Sequence, residues 1–294
     1  MIFHGPVIRP QTDADSVFIE VTAGCTHNSC SFYNFYKDTP FYVAPVEQVE
    51  KDLKEAKDAY PGAKKIWASG GNPFALSPDK LIRLGHLFKK YYPEAVVSTY
   101  ARIDDLYRKS IADIKAIHDA GIDDIMIGIE SGDDEVLSFV NKGYTAADIV
   151  RECQKLDAAG MPYRMIYLGG LAGKGKLVES AKKSAAVINQ IHPYYMILTN
   201  VTIMPGTKLY QQRESGEFTE STEKERLMEI RELISDLRNP IVVDSGTASS
   251  SVYFVADLPK DREVLREQLD RYIASFSEKD EELWQFRRAH TQYI

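Results

Sequence analysis

Val17-Phe-Ile-Glu-Val21 is a mainly apolar run, and Gly24-Cys25-Thr-His-Asn-Ser-Cys30-Ser-Phe-Tyr33 follows it after two residues. The apolar run predicts a buried β-strand, and the small polar residues after it predict a loop. The loop carries two cysteines spaced C-x4-C, and a tyrosine follows at C-x2-Y. A chemically distinctive loop directly after a strand is typical of α/β folds, which place their sites at the carboxyl ends of the strands.

The remainder of the chain alternates between strand and helix patterns. Short β-branched or aromatic runs recur six times, and a helical pattern follows each except the last: 17–22, 65–69, 96–101, 124–130, 163–168 and 194–203. Alternating βα units imply a parallel sheet with right-handed crossovers. The predicted fold class is therefore α/β, a partial (β/α)6 TIM-like barrel with a C-terminal helical extension.

Capping patterns agree with this periodicity, because a Ser or Thr stands three residues before an acid at three predicted helix starts: Ser110 with Asp113, Thr145 with Asp148, and Thr222 with Glu225. A short extended stretch is predicted near 241–254 and a helix near 261–275. The charged residues 277–294 predict an edge helix or a loose tail. We expect an N-terminal extension at 1–16, a barrel at 17–210, and a helical and extended region at 211–294 that packs on the barrel.

Composition excludes several classes of protein. The chain has 294 residues, of which 44% are hydrophobic, enough for a large core. The net charge of −7 argues against a nucleic-acid partner. Three cysteines are too few for a disulfide framework, and no apolar stretch approaches the roughly 18 residues that span a bilayer. We expect a soluble cytoplasmic protein with no membrane partner.

Taken singly, each motif leaves alternatives open. Cys25 and Cys30 suit an iron–sulfur cluster or are ordinary loop thiols. The glycines of Gly70-Gly-Asn-Pro73 allow a ligand to approach the backbone, or they form a tight turn. Glu130, after the fourth strand, accepts hydrogen bonds from ribose hydroxyls, or it is a capping or solvated residue.

In combination, five motifs in this order resemble the radical S-adenosylmethionine (SAM) superfamily. The resemblance extends from about Val17 to Tyr210, and the chain is similar to a poorly characterised bacterial branch of this superfamily. The motifs are the cysteine loop, Gly70-Gly-Asn-Pro73, Ser98-Thr-Tyr-Ala-Arg102, Gly128-Ile-Glu-Ser-Gly132 and Met204-Pro-Gly-Thr207.

The resemblance implies a [4Fe–4S] cluster and SAM as cofactors. The metal ligands would be Cys25 and Cys30, with Tyr33 in place of the family's third cysteine. Reductive cleavage of SAM would give a 5′-deoxyadenosyl radical that abstracts hydrogen from an unidentified small molecule. Such an enzyme works anaerobically with a reducing partner such as flavodoxin or ferredoxin.

The resemblance also assigns cofactor-binding positions but no catalytic residue. Gly70, Gly71 and Asn72 would meet the methionyl amino group, Glu130 beside Ser131 the ribose, and Ser98, Tyr100 and Arg102 the inner wall. Arg164 either meets a carboxylate of the ligand or pairs with an acid at the other end of the barrel. Asn200 and Thr202 either line the pocket or form an interior hydrogen bond.

Tyr33 is the departure from the family pattern. A phenol ionises near pKa ~10 rather than about 8.5 and offers a hard oxygen donor. Its side chain is also longer than that of cysteine by roughly 4 Å. Three interpretations stay open: a phenolate ligand, a substitution that leaves a labile cluster, or a non-catalytic SAM- or nucleotide-binding protein without a cluster. His27 suits loop packing, and Cys153 suits a buried structural thiol.

A competing motif is Gly170-Leu-Ala-Gly-Lys-Gly175-Lys176-Leu177, which matches a P-loop except at its end. Leu177 replaces the hydroxyl residue that a P-loop uses for magnesium. A P-loop-like nucleotide hydrolase is therefore the less favoured alternative. The glycines otherwise let this loop approach a cofactor or substrate, with Lys174 and Lys176 available to an anion.

Overall fold

The structure is a computed structural model that describes residues 1–291. The described strands are β1 Val17–Glu20, β2 Thr22–Ala23, β3 Tyr42–Val43, β4 Lys65–Ser69, β5 Val96–Ala101, β6 Asp124–Glu130, β7 Tyr163–Gly169, β8 Tyr195–Asn200, β9 Ile241–Asp244 and β10 Val255–Leu258. The described helices are α1 Val46–Ala59, α2 Pro78–Tyr91, α3 Ile111–Asp119, α4 Asp134–Phe139, α5 Ala146–Ala159, α6 Leu177–Ile188, α7 Lys208–Glu214, α8 Glu223–Asp236, α9 Arg262–Ser275 and α10 Glu278–His290.

Eight of the strands form one mostly parallel sheet in the order β1-β4-β5-β6-β7-β8-β9-β10. β1 pairs parallel with β4, β4 with β5, and β5 with β6. This mixed α/β sheet confirms the predicted fold class. The sheet also extends beyond the six predicted strands, because β9 pairs parallel with β8 and β10 pairs antiparallel with β9.

The chain divides into two compact units, which share β6, β7 and α5. The first unit comprises residues 1–28, 35–128 and 152–164, and the second comprises 29–34, 129–151 and 165–294. The predicted boundaries after residues 16 and 210 stay a prediction.

The first unit packs α1 and α2 through apolar faces that recur every three or four residues, as expected of amphipathic helices. Val49, Leu53 and Ala56 are buried on α1, and Leu81, Leu84, Gly85 and Phe88 on α2. Among the strands, Phe18 and Trp67 are register partners, and their rings stack with centroids 5.6 Å apart.

The second unit packs α6, α8, α9 and α10 together, with α8 in contact with the other three. The predicted capping boxes are present at α3 and α8, as is the Thr145–Asp148 exchange before α5. The predicted helix near 261–275 is α9, and α10 occupies most of the predicted tail, whose residues 292–294 lie outside the described residues. The expected single stretch near 241–254 is instead two strands separated by a serine-rich turn.

Among residues 1–291, no helix combines the length and the apolar character that crossing a bilayer requires.

Candidate functional site

The cysteine loop begins at a tight backbone crossing. It leaves β2, which pairs antiparallel with β3, so that the loop joins the two strands of a short ribbon. Gly24 has a φ of +69°, and a Cβ there would lie 2.6 Å from the Thr39 carbonyl oxygen. Only glycine combines this left-handed backbone with so close a neighbour, so Gly24 fixes the entry to the loop.

The two glycines after β4 pack against the same entry. A Cβ on Gly70 would lie 2.0 Å from Thr22 Oγ1, and one on Gly71 would lie 2.2 Å from the Gly24 oxygen. The Gly71 amide donates to that Gly24 oxygen at 3.1 Å. The structure therefore brings Gly70 and Gly71 to the cysteine loop, and the backbone of the loop is the group that they approach.

Asn72 clamps the loop through its side chain, which is fully buried. Its Oδ1 accepts from the Thr26 amide at 3.0 Å, and its Nδ2 donates to Thr26 Oγ1 at 2.6 Å. Nδ2 also donates to Asp105 Oδ1 at 2.9 Å. Because Thr26 directly follows Cys25, Asn72 fixes the backbone beside the first cysteine.

Asp105 is a part of this site that the sequence did not reveal. Burial raises the pKa of its carboxyl to about 7, partly offset by the hydrogen bond from the Arg102 amide. That amide donates to Asp105 Oδ2 at 2.8 Å in the turn Ile103–Leu106. The one available signal was the Arg102-x-x-Asp105 spacing at the start of this turn.

None of the three cysteines forms a disulfide, and all are buried. Cys25 is 5% exposed and Cys30 is 8% exposed. Tyr36, which the sequence analysis did not single out, lies close enough for charge on Cys25 to act on it: burial and then that charge raise the pKa of the Tyr36 phenol. Cys153 is fully buried, and burial raises the pKa of its thiol, as the predicted structural role requires.

The second half of the loop belongs to the second unit. The Ser31 amide donates to the Val140 oxygen at 3.0 Å, and the Ser31 oxygen accepts from the Leu209 amide at 2.8 Å. Cys30 is buried in an apolar cluster against which Tyr33 packs, with the Tyr33 ring edge-on to Phe32 at 5.0 Å. Both halves of the loop are therefore held by backbone hydrogen bonds.

Glu130 ends β6 with an unusual backbone, since its φ is +64°. Its carboxylate is buried and paired with Lys142, whose Nζ lies 3.1 Å from Oε1. The Lys142 ammonium also lies over the rings of Phe32 at 5.8 Å and Tyr144 at 5.4 Å. A non-glycine residue held in a strained conformation is common at functional sites, so Glu130 stands out as a candidate. No sequence pattern indicated Lys142.

Ser131 lies in a small-residue contact with α6. Its hydroxyl is 3.3 Å from Ser184 Oγ, which also accepts from the Gly132 amide at 2.8 Å. A Cβ on Gly132 would lie 2.7 Å from the Ser184 Cα. These contacts fix the turn that follows Glu130.

Ser98 and Arg164 meet at one buried acid. Arg164 Nη2 lies 2.6 Å from Asp124 Oδ2, which also accepts from Ser98 Oγ at 2.9 Å. Arg164 Nη1 lies 2.8 Å from Asp13 Oδ2. Of the two readings of Arg164, the geometry favours pairing with an acid, because Asp124 and Arg164 lie in the first two residues of β6 and β7.

Tyr100 and Arg102 also bond to protein groups of the first unit. The Tyr100 hydroxyl donates to the Ile8 oxygen at 3.1 Å, and its ring lies 4.4 Å from that of Trp67. Burial raises the pKa of Tyr100 far above its usual value. Arg102 Nε lies 2.9 Å from Asp104 Oδ1.

Asn200 and Thr202 lie at and just beyond the end of β8 in the second unit. Both are buried, and neither side chain has a hydrogen-bond partner within residues 1–291. Nearby, Glu229 accepts from the Tyr167 hydroxyl at 2.9 Å and from the Gly170 amide at 2.8 Å. Burial raises the pKa of Glu229 to about 7.

The P-loop-like segment has its own protein partners. The Gly175 amide donates to Glu225 Oε1 at 2.8 Å, and the Lys174 amide donates to the Thr219 oxygen at 2.9 Å. A carboxylate on a loop amide opposes phosphate binding there, since both are anionic. The geometry thus argues against nucleotide hydrolysis at this loop.

Solved structures similar to this chain show the same fold at low identity. The radical SAM methyltransferase TsrM from Kitasatospora setae is 16% identical, with a TM-score of 0.53, covering 66% of this chain and 36% of that one. Methylornithine synthase (PylB) is 17% identical at a TM-score of 0.55, covering 88% of this chain and 80% of that one. Coproporphyrinogen III oxidase (HemN) from Escherichia coli is 16% identical at a TM-score of 0.57, covering 74% and 51%.

This chain therefore spans about a third of the length of the methyltransferase, and no curated protein matches it. The family model for the radical SAM superfamily matches residues 19–182, which is more than half of the chain. The match includes the cysteine loop, Gly70 to Asn72 and Glu130. The chain belongs to the radical SAM superfamily, whose members are enzymes that use a [4Fe–4S] cluster and S-adenosylmethionine.

Proposed function

We propose that this chain is a radical SAM enzyme that binds its cluster through Cys25 and Cys30, with Tyr33 at the third position. Its substrate is an unidentified small molecule, and its electron donor is a protein such as flavodoxin or ferredoxin. We place it in the cytoplasm. When bound, the two cofactors supply reductive cleavage of the SAM sulfonium for hydrogen abstraction from the substrate.

The observation that carries this proposal is the fixed cysteine loop inside the family match. Cys25 and Cys30 are buried, unbridged thiols five positions apart. Gly24, Gly71 and Asn72 hold the loop beside Cys25, and Val140 and Leu209 hold it beside Cys30. A loop fixed at this many points is preorganised for thiolate ligation.

The donor set fits a cluster at two positions of three. Within residues 1–291, no three His, Cys, Asp or Glu side chains group as a metal site. The third position offers the phenol of Tyr33, and tyrosine is an iron ligand in some haem proteins. We therefore assign the third ligand to Tyr33 and expect weaker retention of iron than with three thiolates.

The other site residues either contact SAM or hold the groups that do. We assign the backbone of Gly70 and Gly71 to the methionyl amino group, and Glu130 with Ser131 to the ribose hydroxyls. The side chain of Asn72 is committed to Thr26 and Asp105, so it acts by holding the loop.

The three residues assigned to the inner wall act indirectly, and so does Arg164. Ser98, Tyr100, Arg102 and Arg164 all bond to neighbouring protein groups. We assign to them the shaping of the interior rather than direct contact with SAM.

The test is anaerobic reconstitution with iron and sulfide, followed by metal analysis and electron paramagnetic resonance with and without SAM. Four protein forms are compared: the unaltered chain, Tyr33→Cys, Cys25→Ala and, as the matched cysteine control, Cys153→Ala. The proposal expects about four irons in the unaltered chain and a spectral change when SAM is added. The cluster should be lost in Cys25→Ala and retained in Cys153→Ala.

A different pattern would redirect the assignment. A cluster that forms only in Tyr33→Cys, with SAM still bound by the unaltered chain, would make this protein a cluster-deficient SAM-binding protein. Absence of both cluster and SAM binding in every form would overturn the proposal altogether.

A further inference from the structure

An apolar pocket of about 340 Å³ opens in the first unit, beside the start of α1 and the first two turns of α2. Its walls include Val21, Ala44, Leu76 and Leu84, all of them buried. The volume lies at the lower end of the roughly 300–1,000 Å³ typical of small-molecule sites. The pocket is therefore large enough for a small organic ligand.

Two cationic side chains line this pocket. Lys80 and Arg83 are exposed, three residues apart on one face of α2, and both line the pocket. Within residues 1–291, neither side chain has an ion-pair or hydrogen-bond partner, and the lining includes no acidic residue. On a chain of net charge −7, an apolar pocket with two unneutralised cations is a specific electrostatic feature.

We propose that this pocket binds a small amphiphilic anion, with an aliphatic or aromatic body against the apolar walls and a carboxylate or phosphate at Lys80 and Arg83. Transfer of the apolar body from water to the pocket is favourable, and the guanidinium of Arg83 suits the planar geometry of a carboxylate. The site is separate from the cofactor contacts assigned above and does not depend on them.

Binding is measured by isothermal titration calorimetry of the full chain with sodium octanoate, with octan-1-ol and octylammonium as ligands that lack the negative charge. The proposal expects the order octanoate, octanol, octylammonium. In the double variant Lys80→Gln/Arg83→Gln, octanoate binds roughly tenfold more weakly, as expected when charge-assisted contacts are lost. The matched control Lys51→Gln/Lys54→Gln removes two exposed lysines of α1 and leaves the affinity unchanged.

Location is tested by photo-crosslinking with a diazirine analogue of octanoate, which is expected to label peptides that contain residues 43–46 and 76–84. Vesicles of anionic phospholipid distinguish a free ligand from a membrane headgroup, because a free ligand predicts no cosedimentation. Equal affinities for the three ligands, an unchanged double variant, or labelling elsewhere would each overturn the proposal. Cosedimentation lost in the double variant, without octanoate binding, would replace it with a membrane contact.

Discussion

The amide of Asn72 joins the carboxyl of Asp105 to the cysteine loop. Nδ2 donates to Asp105 Oδ1 at 2.9 Å, while Oδ1 accepts from the Thr26 amide at 3.0 Å. The two residues are 33 positions apart and lie after different strands. A buried acid in the turn after β5 therefore helps to hold the residue next to Cys25.

The pH dependence of stability follows from two buried acids. The folded pKa values of Asp105 and Glu229 are raised to about 7. Between pH ~4 and pH ~7, the folded chain binds more protons than the unfolded chain, so the free energy of unfolding falls as pH rises through that window. We expect Asp105→Asn and Glu229→Gln each to reduce this fall, measured by urea unfolding at pH 5 and pH 8. An unchanged fall in both variants would contradict the assignment.

The glycine contacts make a second prediction. Gly71→Ala places a methyl 2.2 Å from the Gly24 oxygen, and the backbone has to move. We expect a loss of about 1–3 kcal/mol, as for other overpacked sites, measured by chemical unfolding. Gly62 is the matched control, since a Cβ there meets no atom within 4 Å. Gly62→Ala should therefore change stability by less than about 1 kcal/mol, and equal losses in the two variants would refute the contact.

The buried pair of Glu130 and Lys142 makes a third prediction. Lys142→Met leaves the Glu130 carboxylate buried without its cation, which costs about 3–5 kcal/mol of unfolding free energy. The double variant Glu130→Gln/Lys142→Met should recover part of this loss, because no charge is then left alone. Both are measured by denaturant unfolding, and a double variant less stable than Lys142→Met would contradict the pairing. If Glu130 binds ribose, the double variant should also lose SAM affinity in an anaerobic titration.

The interior arginine makes a fourth prediction. Arg164→Met removes the cation between Asp13 and Asp124, which are both buried, while Lys65 still lies within ion-pair distance of both. We expect a loss of about 3–5 kcal/mol. Arg266 pairs with Glu263 near the surface, so Arg266→Gln should cost less than about 1 kcal/mol. Equal melting temperatures of the two variants would contradict the stabilising role of Arg164.

Local pattern was enough to predict most of the framework. The periodicity of the apolar runs identified the strands from β1 to β8 in the main sheet, and Ser110, Thr145 and Thr222 identified helix starts, because both signals act within a few residues. The local pattern did not predict that β9 and β10 extend the sheet. The pairing of β9 with β8 joins residues more than 40 positions apart, and such pairing depends on tertiary packing.

The site was predicted less completely than the framework, for the same physical reason. Alternation along β5 and β7 indicates which side chains share a face, but it does not identify a partner on another strand. Ser98 was assigned to the inner wall and Arg164 to either a ligand carboxylate or an unnamed acid, but the sequence did not reveal that both side chains bond to Asp124. Lys142 and Asp105 were missed because their partners are 12 and 33 positions away.

The hydrogen bond between the Gly71 amide and the Gly24 oxygen bears on protein engineering. A designer who transplants the cysteine segment into another scaffold has to transplant the turn after β4 with it. If the cysteine segment were moved alone, a side chain at the positions of Gly70 and Gly71 in the new scaffold would clash with it. The two segments therefore have to be exchanged as one unit, although Asn72 and the Thr26 that it holds are 46 positions apart.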